Sequence, residues 1–187
     1  ANHYGVISQM ANQGHTTNGI RQVKEWYEAG ILGEVREVHA WFGEFNFKPG
    51  HWWDKPSEFP PKKQAIPKTL DWNLWLGPAK NRNYNKVYVP KSWRGFFDFG
   101  NGQLGDWSCH TLDAPFWALN LGMPSSVFGN VPDPRTKENF VADKSTVEFT
   151  FPANNDRKSV KLKWYEGGFK PNFGDDFPLK DVPNLGM

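Results

Sequence analysis

Apolar and polar positions change their period several times along the chain, and each change predicts an element. Val6 to Met10 is a short apolar run. Polar residues Ala11 to Asn18 follow, and then Ile20, Val23 and Tyr27 fall on one helical stripe, which reads as strand, loop and helix. The helix is expected to stop at Gly30, because glycine takes the positive φ of a C-terminal cap without steric penalty, and Gly33 opens a strand. Between Glu34 and Phe42, Val35, Val38, Ala40 and Phe42 are set among Arg36, Glu37, His39 and Trp41, a strand with at least one covered face. From Gly43 to Thr69 the period is lost under prolines and aromatics, including His51-Trp52-Trp53 and Phe59-Pro60-Pro61. That is too long for an ordinary connector and predicts either an arm around a neighbouring subunit or a loop over a site. Leu70 to Pro78 reads as a short helix or turn ended by Gly77-Pro78, with Trp72 and Trp75 on one face as a hydrophobic plug.

The stretch from Gly102 to Asp113 is the one place where ionisable side chains recur at helical spacing among apolar ones. In a helix, Asp106, His110 and Asp113 share one side, while Leu112, Phe116 and Leu119 pack elsewhere. Gly102 and Gly105 allow a tight entry and close approach, and Pro115 removes a backbone donor and bends the axis farther along. Beyond it, Ser126 to Val131, Ser145 to Phe151 and Ser159 to Tyr165 are three strand-like runs. Val147, Phe149 and Phe151 alternate with Thr146, Glu148 and Thr150, and Val160, Leu162 and Trp164 alternate with lysines. Each has one wet face, so the simplest arrangement is an antiparallel sheet with the helix packed on its other side, an α+β fold. The tail from Gly167 reads as loop. Neither end resembles a domain boundary, and a piece of a longer protein is expected.

A length of 187 residues allows one domain with a full core, or one domain and a fragment of another. The formal charge of +2, from 22 basic and 20 acidic residues spread along the chain, makes no field that would select nucleic acid or an anionic membrane. Cys109 alone rules out an intramolecular disulfide framework and a Cys-rich zinc pattern. No apolar run approaches the roughly 20 residues that span a bilayer. Ala1 to Gly5 lack a signal-peptide start, which leaves cytoplasm and periplasm equally open. Ten tryptophans, fifteen phenylalanines and five tyrosines exceed what a core of this size needs, and aromatic faces beside polar groups suit sugar rings as well as layer or subunit packing.

Four segments, in this order, resemble one family: Asn12-Gln13-Gly14-His15, the run Gly30-Ile31-Leu32-Gly33-Glu34-Val35, Leu70 to Pro78, and Trp93-Arg94 through Gly105-Asp106-Trp107-Ser108-Cys109-His110-Thr111-Leu112-Asp113. Together they resemble the C-terminal part of Gfo/Idh/MocA oxidoreductases, the group of glucose-fructose oxidoreductase and inositol dehydrogenase, in its bacterial subgroup with a long aromatic insert. The resemblance implies an open, mainly antiparallel sheet with helices on one face, like the C-terminal domain of dihydrodipicolinate reductase. Residues 1–30 would be the remnant of the last Rossmann strand and connecting helix. Residues 31–187 would be a substrate-binding and oligomerisation domain, incomplete at its C-terminus. The implied partners are a sugar, inositol or polyol and further copies of the chain through the open sheet face.

The family's Asp-x-x-x-His pair falls on Asp106 and His110, with His110 as general base and Asp106 orienting it or the substrate hydroxyl. Arg94, Asp113, His15 and Trp93 are expected near substrate, and Asn12 and Gln13 near the cofactor, NAD or NADP. The sequence has no Glu-Lys-Pro, and its Gly-x-Gly-x-x-Gly match, Gly100 to Gly105, follows no expected strand, so dinucleotide binding and turnover are expected only of a full-length protein that supplies the cofactor fold. Two other functions fit the same residues: a lyase or hydrolase working through transient oxidation of a sugar carbon, and a non-catalytic carbohydrate-binding or oligomerisation module. His15, His110, Asp106 and His51 are also metal-ligand types, but only one i, i+4 pair has suitable spacing, and no metal site is expected.

Overall fold

Helix α1 (Asn18–Glu28) turns its Ile20, Val23 and Tyr27 stripe inward and ends as its sequence requires. Gly30 takes φ 74°, and the Ile31 amide closes back onto the Trp26 carbonyl at 2.9 Å. These and the elements below come from a computed structural model that describes residues 2–43, 47, 53–134, 138–174, 182–183 and 185–186. The other elements are β1 (Glu37–Phe42), α2 (Trp72–Leu76), α3 (Gly102–Thr111), α4 (Asp113–Ala118), β2 (Ser126–Asn130), β3 (Ser145–Phe151), β4 (Val160–Glu166) and β5 (Leu185–Gly186).

The sheet order is β2-β3-β4-β1-β5. The pairs β2–β3 and β3–β4 are antiparallel, as alternation predicts, whereas β1 lies parallel to β4, with Glu37 opposite Lys161. In the tail, expected to be loop, Leu185 and Gly186 pair antiparallel with Phe42 and Trp41. Helices cover one face. Ala40, Phe42, Val147 and Trp164 pack against Leu104, Trp107 and Leu112, and Val160, Leu162 and Phe151 pack against Leu119, Leu121 and Tyr27. The opposite face carries Glu37 and His39, Lys161, Lys163 and Tyr165, Thr146 and Glu148, and the exposed Phe128.

Val6 to Met10 is not a strand. It is irregular and exposed, with Ile7 fully accessible, because none of the described residues pairs with it. The described residues of the insert join an aromatic core in which Trp53, Trp72, Leu76, Tyr84, Tyr88 and Phe96 close around Phe140 and against which Trp107 of α3 packs. His51 and Trp52 lie outside the described residues. The Trp72 and Trp75 rings stack at 4.9 Å inside this cluster, and Asp71 caps α2 by accepting the Leu74 amide at 3.0 Å. Gly95 is obligatory there, since a Cβ would lie 2.4 Å from the Phe140 ring.

Candidate functional site

The polar seam is divided between two helices. Pro115 cannot donate to the Thr111 carbonyl and its ring would crowd that oxygen, so α3 ends at Thr111, and Asp113 opens α4. The expected bend is therefore a break, placed four residues before the proline. Asp106 and His110, one turn apart, stay on α3, both partly exposed. Asp113 leaves their side and pairs with His15, whose Nδ1 lies 2.8 Å from Asp113 Oδ2 and whose ring packs on Trp117 at 4.6 Å.

Asp106 does not hold His110. Its Oδ2 accepts from Arg94 Nε at 3.1 Å, and an Arg94 Nη1 hydrogen donates to the Lys91 carbonyl at 3.2 Å. The guanidinium stands 4.5 Å from the Trp93 ring centre and 5.6 Å from that of Trp53, so the cation is fixed by aromatic faces as well as by the carboxylate. Trp93 Nε1 donates to the Pro90 carbonyl at 3.1 Å. Arg94 thus stitches the insert to α3. His110 makes an edge contact with Trp107, at 5.6 Å, and no hydrogen bond to the described residues, which leaves its ring nitrogens for a ligand.

The loop expected near cofactor is committed elsewhere. Asn12 Nδ2 donates to the Cys109 carbonyl at 3.1 Å, satisfying a backbone acceptor near the C-terminal end of α3, while the exposed Gln13 begins a 3-10 turn closed by Thr16 Oγ1 on its carbonyl at 2.9 Å. Asn12, His15, Cys109 and Asp113 therefore brace the α3–α4 break, a role with no local sequence signal, since the partners lie far apart in the chain. Partial desolvation of its sulfur, and then the charges of Asp106 and Asp113, push the Cys109 thiol up and away from a nucleophilic thiolate.

Beneath α3, Glu166 at the end of β4 accepts from Ser145 Oγ and from Trp164 Nε1, the latter at 3.3 Å, and the Leu104 amide also bonds to it. Burial outweighs these donors and raises its carboxyl above the usual range. The clefts include one of about 600 Å³ beside residues 54–62 and one of about 920 Å³ between α1 and the β3–β4 turn, and neither is lined by Asp106 or His110. Among the described residues no group of three or more His, Cys, Asp or Glu could hold a metal ion, and no helix is long and apolar enough to cross a membrane. Gly100, Gly102 and Gly105 match the spacing of a dinucleotide-binding turn, but they lead into α3 from a turn and not from a strand.

Residues 16–158 match an oxidoreductase family's C-terminal alpha/beta domain. No curated protein was found to match the chain.

Proposed function

Because the chain belongs to the Gfo/Idh/MocA oxidoreductase family, as its C-terminal α/β domain, we propose that it supplies the substrate-binding surface and the general base of an NAD(P)-dependent oxidation of a sugar, inositol or related polyol. The observation that carries this reading is His110: a partly exposed imidazole with no hydrogen bond to the described residues, one helical turn from a carboxylate fixed by a guanidinium. Imidazole is the side chain whose charge changes nearest neutral pH, which suits it to take the hydroxyl proton of a secondary alcohol. Asp106, anchored through Oδ2 on Arg94, keeps Oδ1 to accept from a substrate hydroxyl and set its orientation. A nicotinamide, when bound, takes the hydride; its cradle would be contributed by residues other than these. Trp93 lies under the guanidinium that anchors Asp106, and Asp113 with His15 holds the helix break.

The test is turnover by the full-length protein on candidate sugars, followed by reduced-nicotinamide absorbance. His110→Ala is expected to lower turnover on the order of 10² or more while cofactor binding is retained. Unchanged turnover would remove His110 from the chemistry. Product formed without accumulating reduced cofactor would favour the lyase or hydrolase cycle. A second element of the proposal is self-association through the part of the sheet face opposite the helices where Phe128 is 70% exposed, beside the Glu37–Lys163 and Glu148–Lys161 ion pairs.

A further inference from the structure

The insert encloses the cleft of about 600 Å³, a size suited to one or two sugar rings. Its lining includes four lysines far apart in sequence, Lys55, Lys62, Lys86 and Lys91, and two acidic residues, Asp54 and Glu58. Lys62 is partly neutralised by Glu58 at 3.3 Å, and Lys55 reaches both oxygens of Asp143 at 2.7 Å. Lys86 has no ion pair. Ser92, only 4% exposed, lines the cleft with a hydroxyl that makes no hydrogen bond to the described residues. Pro61, Val87 and Pro90 add apolar wall of the kind that meets the C–H face of a sugar.

From this arrangement we infer that the insert builds a binding subsite for an anionic sugar unit, one bearing a carboxylate, sulfate or phosphate, with Lys86 and Ser92 as its principal contacts. The inference rests on the carbohydrate reading above and narrows it to charged substrates. The subsite and the reaction site share a support, since Ser92 and Arg94 stand two residues apart on one 3-10 turn, Ser92 in the cleft and Arg94 on Asp106. A substrate held in the cleft by its charged group is thereby placed relative to the α3 face. Partial enclosure strengthens the attraction over that of fully solvated lysines, and salt weakens it.

Calorimetric titration of the full-length protein with glucuronate, glucose 6-phosphate, inorganic phosphate and glucose tests this. Both anionic sugars are expected to bind, more weakly as salt is raised, and glucose at least tenfold more weakly. Lys86→Glu, at an exposed position whose folding is checked by thermal melting, is expected to lower their affinity tenfold or more, and His110→Ala to leave it unchanged. Glucose binding as tightly as glucuronate overturns the inference, as does undiminished affinity in Lys86→Glu. Inorganic phosphate binding as tightly as glucose 6-phosphate, with no binding of glucuronate, overturns the sugar assignment. If turnover depends on His110 while Lys86→Glu binds normally, the subsite alone fails. If the lysine dependence holds but His110→Ala leaves turnover intact, the catalytic proposal alone fails.

Discussion

Arg157 is a buried cation whose partners are main-chain oxygens. It donates to the carbonyls of Leu119 at 2.8 Å, Pro152 at 2.8 Å, Lys158 at 3.0 Å and Leu121 at 2.9 Å, and so ties the end of α4 to the β3–β4 turn. Each of these acceptors is left short of a donor if the guanidinium goes. Arg157→Met is accordingly expected to lower unfolding stability by about 3 kcal/mol or more, read as a shift in urea midpoint at constant slope. Lys in its place would recover only part, because one ammonium cannot span the fork of four carbonyls. Nothing local in the sequence marks Arg157, and the same limit governs the candidate site. Spacing along α3 sufficed to put Asp106 and His110 on one face, but the partner of Asp106 is Arg94 and that of Asp113 is His15, and such pairings follow from how segments cross.

Among elements, α3 is the one whose placement matters most, and Glu166 holds its first turn to the sheet. A native carboxyl raised by burial keeps its proton at a pH where the unfolded glutamic acid has lost it. The native state thus binds more protons across that window, and stability falls as pH rises from the ordinary glutamate range through the raised native value. Urea midpoints measured from acidic to neutral pH are expected to decline through this window in the native sequence and to flatten in Glu166→Gln. An equal slope in both would show that Glu166 is not the titrating group. Helix α1, its glycine stop, α2 and the three antiparallel strands were legible because each is written in local period and capping residues. The division of α3 from α4 was half legible. Pro115 signalled a disturbance, but the break stands at the acceptor it disables and not at the proline itself. Val6 to Met10 was misread because a short apolar run carries no information about whether a neighbouring strand exists.

At the scale of the molecule, the helices occupy one side of the sheet, while on the other Phe173 packs on His39 and Trp41 and Phe128 on the edge strand β2 stays exposed. If that exposed edge is where copies of the chain meet, as proposed, Phe128→Glu, which places a charge there beside Glu148, is expected to lower the mass of the full-length protein in sedimentation without altering its melting profile. An unchanged mass would exclude the face as a contact. Of the aromatic core, only the Trp72 and Trp75 plug was foreseeable, since Gly43 to Thr69 lacks a period and reveals composition but no packing. The parallel seam between β1 and β4 has one more effect. Residues 37–42 are synthesised well before the neighbour that covers one edge of that strand, which begins only at Val160. During the whole interval of synthesis between them, Ala40 and Phe42 belong to an unzipped ribbon whose apolar side chains have no partner strand to close over them.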